Sequence, residues 1–274
     1  MQFSFFSFEG ATLHYTKAGQ GTKTLLAFHG IGQDASCFDG IVQSLGNQYT
    51  FYVFDLFYHG KSGGISAAKP SETDRLSKTF WAALIREFCV QQKINRFSVA
   101  GFSMGGKFAL ATTEAFAGRV ETLYLFAPDG ITESIWYTLA TRFWPARQIF
   151  RLIVFNPSFS HQLGRVFLGF GWVNKSTLRF IESTLTTPQQ QARVYYSWLC
   201  FSTLRFEMPH IARLCNKHSI NTKIFLGRFD ALIPESSVYD LTSKLNDYEL
   251  IMLKTGHHRL VEKAAEWLQS SPHH

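Results

Sequence analysis

The feature that most restricts this chain is a set of apolar runs too continuous to be half-buried. Lys23–Gly30 reads KTLLAFHG, Tyr49–Leu56 reads YTFYVFDL, Arg96–Ser103 reads RFSVAGFS and Arg119–Gly130 reads RVETLYLFAPDG. A strand with one face in water alternates apolar and polar residues, whereas a strand covered on both faces does not. Between these runs lie stretches with apolar residues at helical spacing. They are Phe38–Leu45, Arg75–Gln92 (with Leu76, Phe80, Ala83, Leu84 and Phe88) and Gly105–Phe116. Strand, helix and strand in succession build a parallel sheet with helices on both faces. The same alternation returns at Thr222–Asp230, Pro234–Leu245, Tyr248–His257 and Arg259–Leu268. Phe3–Gly10 and Ala11–Gly19 read as an antiparallel pair ahead of them. The expected class is α/β, with a mostly parallel eight-stranded sheet.

Between about Gly130 and Ile220 the alternation lapses. This stretch is rich in Trp, Phe, Arg and Leu and is punctuated by Pro145, Pro157, Pro188 and Pro209. It reads as several short helices inserted into the α/β core. The expected layout is a core of residues 1–129 and 221–272 with a helical cap of residues 130–220. Trp136, Phe143, Trp144, Phe155, Trp172 and Tyr195 are expected mostly to form the core of that cap, with a minority facing a pocket. The 27 phenylalanines and 6 tryptophans exceed what a core usually needs, so part of the surplus is expected to line an apolar cavity. The arginines of the insertion, among them Arg142, Arg147, Arg151 and Arg179, read as solvated helix faces.

Composition removes several classes of function. At 46% hydrophobic and 17% charged residues, the chain can bury a large core. Its net charge is +7, but no dense Lys/Arg run appears, which argues against nucleic acid as a partner. Cys37, Cys89, Cys200 and Cys215 are scattered with no C-x-x-C pair, as free thiols in a reducing compartment would be. The N-terminal segment lacks a basic region and a cleavage site, and no apolar run reaches membrane-spanning length. The expectation is a cytoplasmic protein with no stable membrane insertion. The oligomeric state is not legible.

Ligands of open α/β sheets sit beyond the carboxyl ends of the strands, and four strand ends carry reactive residues. Gly101-Phe102-Ser103-Met104-Gly105 joins a buried strand to a helix, and a turn that sharp needs glycines where a Cβ would clash. It also lifts the Ser103 hydroxyl out of the sheet at a helix N-terminus. Gly30-Ile31 follows another strand, so the N–H groups of Ile31 and Met104 are candidate donors to an oxyanion. His29 reads as bonded to its own loop. Asp230 ends a third strand, with Asp129 as a rival acid, and His257 follows the turn glycine Gly256, with His258 as the alternative base.

Taken together, FHGIG, DLFYHGKSG, GFSMGG, GRFDALIP and GHH resemble the α/β-hydrolase family in its cap-bearing, small-molecule branch. The resemblance spans nearly the whole chain. It implies Ser103 as nucleophile, His257 as base, Asp230 as acid, and Ile31 and Met104 as the oxyanion hole. Asp55 and Ser62 would then be structural, and His59 a solvated loop residue. Dehalogenases and epoxide hydrolases of this fold carry an aspartate where Ser103 stands, which sets them aside. The implied activity is a serine hydrolase cleaving carboxylic esters of small, apolar substrates, with no metal or organic cofactor. Two alternatives remain: hydrolysis of a carbon–carbon bond in diketone-like ring-fission products, and a slow or non-catalytic ligand receptor of the same fold.

Overall fold

The structure is a computed structural model that describes residues 2–66, 69–169 and 184–270. The strands are β1 (Gln2–Phe8), β2 (Ala11–Ala18), β3 (Lys23–Phe28), β4 (Tyr49–Phe54), β5 (Phe97–Phe102), β6 (Val120–Phe126), β7 (Asn221–Gly227) and β8 (Glu249–Leu253). Among the described residues these eight form one sheet in the order β1-β2-β4-β3-β5-β6-β7-β8. β2 pairs antiparallel with both β1 and β4, and the remaining neighbours are parallel. The continuous apolar runs are buried as their lack of alternation requires: all six residues of β5 are buried, as are the last four of β3 and of β4.

After β3 the chain steps outward to β4, then crosses back to place β5 on the other side of β3. The strand order therefore reverses between β3 and β5, the kind of switch point beside which open α/β sheets take their ligands. The helix Gly105–Phe116 runs from that point and buries ten of its twelve residues. A helix apolar on all sides is stable only when enclosed. Trp81, from the helix Lys78–Gln91, is fully buried against it, with its ring edge-on to Phe28 and Phe108 at 5.4 and 4.9 Å. The Trp81 indole N–H donates to Thr112 Oγ1 at 3.0 Å, so its one polar atom is satisfied. Much of the phenylalanine surplus is spent in this way, with Phe28, Phe51, Phe54, Phe88, Phe97 and Phe126 all fully buried.

The chain divides into two compact units: residues 1–69, 76–132 and 203–274, and residues 70–75 with 133–202. The boundaries differ from the expected 130 and 220. The helix Met208–Lys217 groups with the sheet, with Met208, Ile211, Ala212 and Cys215 buried. Helical periodicity marks a buried face without saying which body buries it. The expected helix Pro234–Leu245 is shorter, a 3-10 turn at Glu235–Val238 followed by one α-turn at Tyr239–Thr242.

The second unit contains the helices Ile135–Arg142, Trp144–Phe155, Pro157–Gly169 and Pro188–Phe201. Phe150 stacks on Trp198 at 4.9 Å and on Tyr195 at 5.5 Å, and Tyr137 meets Trp198 at 5.0 Å. The short segment 70–75 is tied in by Glu72, whose carboxylate accepts from Tyr195 Oη at 2.9 Å and lies 3.3 Å from Arg151. Burial first, and the Glu72 carboxylate second, push the Tyr195 phenol up to about 12. The expected aromatic core is realised only in part. Trp136, Phe143, Trp144 and Phe155 are 75%, 57%, 67% and 40% exposed. Trp172 and Arg179 lie outside the described residues.

Candidate active site

Ser103 immediately follows β5 with φ of +51°, in the left-handed region that a non-glycine residue rarely adopts. Strain of this kind costs on the order of 1–3 kcal/mol and persists only where surrounding contacts hold it. Those contacts are visible. Ser103 N–H donates to Phe126 O on β6 at 2.9 Å, while Ser103 O accepts from Gly106 and Asp129 N–H, both at 2.8 Å. A Cβ on Gly105 would lie 2.0 Å from Phe28 O, and one on Gly101 would lie 2.5 Å from Gly105 O. Close packing and an upheld serine are therefore one feature: the glycines let the helix press on the ends of β3 and β5, and that pressure fixes the turn.

The three side chains from separate strand ends converge. Ser103 Oγ lies 3.0 Å from His257 Nε2, and His257 Nδ1 lies 2.6 Å from Asp230 Oδ2. A carboxylate can only accept, so Nδ1 carries the proton and Nε2 is left to accept from the serine hydroxyl. The Asp230 side chain is fully buried. Its second oxygen, Oδ1, accepts from Leu232 N–H at 2.9 Å and Ile233 N–H at 3.0 Å. These two donors were missed in the sequence, although an aspartate bonding the backbone two residues on is a recognised turn signal. Phe102 lies beside the imidazole, with ring centres 5.1 Å apart.

The rival side chains make other contacts. The Asp129 carboxylate is 3.8 Å from the Lys107 ammonium, and His258 is exposed. His29 is fully buried, donates from Nδ1 to Gly30 O at 2.7 Å and accepts from Leu56 N–H at Nε2 at 2.9 Å. His59 is a correction, because it is fully buried rather than solvated. Its loop is drawn inward by Asp55, which accepts from Ala35 N–H, Lys61 N–H and the His14 imidazole, all within 2.9 Å. The ring of His59 then sits 5.1 Å from that of His29 and donates to Phe57 O.

Met104 is the N-cap of the Gly105–Phe116 helix, and Ile31 lies one residue past Gly30 on the loop leaving β3. A Cβ on Gly30 would come within 3.1 Å of the Phe102 ring, which shows how closely that loop passes the serine turn. Among the described residues neither the Ile31 nor the Met104 N–H donates a hydrogen bond. The helix end adds positive potential at the same point. Cys37 follows the same loop; burial of its thiol, then the Asp34 and Asp39 carboxylates, push that group well above the ordinary value. No cluster of side chains that could hold a metal ion occurs among the described residues.

The arrangement can activate a hydroxyl and receive a developing negative charge. Comparisons with known proteins agree with the fold. The chain is 30% identical over 118 residues to an uncharacterised protein of Mycobacterium tuberculosis, a match covering 43% of this chain and only 32% of that one. It is 26% identical over 239 residues to the pimeloyl-[acyl-carrier protein] methyl ester esterase of Nitrosomonas europaea, covering 82% of this chain and 83% of that one. Among solved structures, a thermophilic esterase from Thermogutta terrifontis superposes with a TM-score of 0.69 at 18% identity, over 98% of this chain and 96% of that one. A model of the alpha/beta hydrolase fold matches residues 23–264, and the chain belongs to that family.

Proposed function

We propose that this protein is a serine hydrolase that cleaves carboxylic esters of small, apolar substrates through an acyl-enzyme. The observation that carries this reading is the unbroken hydroxyl–imidazole–carboxylate relay, 3.0 Å and 2.6 Å in its two links. Ser103 Oγ attacks the ester carbonyl carbon while its proton passes to His257 Nε2. The carbonyl oxygen, now negative, is received by the N–H groups of Ile31 and Met104. Asp230 stabilises the imidazolium, which returns the proton to the departing alcohol as the carbon–oxygen bond breaks. Water, deprotonated by His257, then releases the acid and restores Ser103.

A labelled fluorophosphonate followed by peptide mapping tests the assignment. Ser103 is expected to carry the label, and p-nitrophenyl butyrate to release p-nitrophenol in a burst. Label on another serine overturns the nucleophile. Turnover of a ring-fission diketone without turnover of any ester in a panel would move the protein to carbon–carbon bond hydrolysis. Ligand-induced melting shifts without label or turnover would make it a receptor.

A further inference from the structure

The helices Ile135–Arg142 and Trp144–Phe155 meet at Phe143, which ends one and caps the other. One side of this pair is turned inward, through Tyr137, Thr141, Phe150 and Val154. The other side is exposed among the described residues. On the first helix Ile135, Trp136 and Leu139 are 69%, 75% and 37% exposed. Phe143 and Trp144 follow, and then Ile149, Leu152 and Phe155 at helical spacing, 57%, 47% and 40% exposed, with the Phe155 ring at the margin of the face, edge-on to Tyr195 at 5.3 Å. Single exposed apolar residues are normal on any protein. Here eight of the fifteen exposed large hydrophobic residues among the described ones fall within 21 consecutive positions. A concentration of that kind marks an interaction surface.

The charge of the same segment indicates the partner. Residues 135–155 contain Arg142, Arg147 and Arg151 and no Asp or Glu. Arg142 and Arg151 are exposed. Trp, Phe, Ile and Leu on one face with arginine beside them is the composition of a helix that lies in the headgroup plane of a membrane. The helices are 8 and 12 residues long, or about 12 and 18 Å, too short to cross a hydrocarbon core of about 30 Å. No helix among the described residues is long and apolar enough to span a membrane. A second copy of the chain is a poorer occupant, because symmetric pairing would gather six arginines against only the Glu72 carboxylate of each copy, which already lies 3.3 Å from Arg151. We propose that residues 135–155 dock the protein reversibly on an anionic lipid surface.

Flotation of the full chain with vesicles tests this. Vesicles of phosphatidylcholine and phosphatidylglycerol are expected to carry the protein upward, vesicles of phosphatidylcholine alone to carry less, and high salt to release it. Trp136→Ala with Trp144→Ala is expected to weaken flotation about tenfold or more, since binding follows buried apolar area. Both residues are exposed, and an unchanged melting temperature confirms that the variant is folded. Ser103→Ala is expected to float like the parent, which separates this proposal from the esterase reading. Absence of flotation in the parent overturns it. So does a concentration-dependent dimer that the double variant abolishes while flotation is absent, or a changed KM for a soluble ester without flotation.

Discussion

At the scale of the residue, Asp230 carries two duties. One oxygen holds the His257 proton and the other ties down the turn at Leu232 and Ile233. Asp230→Asn preserves the second, because the amide oxygen still accepts. It disturbs the first, because an amide nitrogen facing Nδ1 favours the tautomer with the proton on Nε2, where the serine hydroxyl must donate. Steady-state kinetics are expected to show kcat lowered by about 10⁴ with KM little changed, as in serine proteases altered in the same way. A merely structural aspartate would instead lower the melting temperature with kcat retained. Glycines and strand ends flag Ser103, Asp230 and His257 individually in the sequence, and the structure brings their side chains within hydrogen-bond distance. His59 is not flagged in this way. HGKS looks like solvated loop, and only the pull of Asp55, on partners as distant as His14 and Ala35, brings the imidazole inside.

At the scale of the element, the Gly105–Phe116 helix meets β3 backbone to backbone at Gly105. Gly105→Ala sets a methyl 2.0 Å from Phe28 O and 2.7 Å from His29 O, and backbone cannot swing aside as a side chain does. The expected loss is at least about 3 kcal/mol, the upper end of what overpacking costs, read as a lower urea midpoint with unchanged slope. By contrast, Thr187 caps the helix Pro188–Phe201 reciprocally with Gln190, on an exposed end. Thr187→Ala should cost about 1 kcal/mol. The buried strands were legible because absence of alternation is a strong signal over six residues. The fate of Met208–Lys217, and of the segment around Glu72, was not legible. Each depends on a tertiary partner that local pattern does not record.

At the scale of the whole molecule, burial raises the thiols of Cys89 and Cys215 to about 11. In the unfolded chain a thiol titrates near 8.5. Between those values the native protein holds more protons than the unfolded one, so unfolding free energy falls as pH rises. Each thiol contributes a loss of about 1.4 kcal/mol per pH unit across that window, and nothing below it. Urea unfolding at a series of pH values from neutral upward is expected to show a flat region and then a decline above about pH 8.5. A Cys215→Ala protein should decline less steeply, whatever its starting stability. The relay at the sheet edge also has a consequence in time. Its serine and imidazole stand 154 positions apart, on opposite sides of the inserted helices in the chain. Neither flank holds a working set alone. A partly folded chain therefore has no relay, which forms only once segments from both flanks have met.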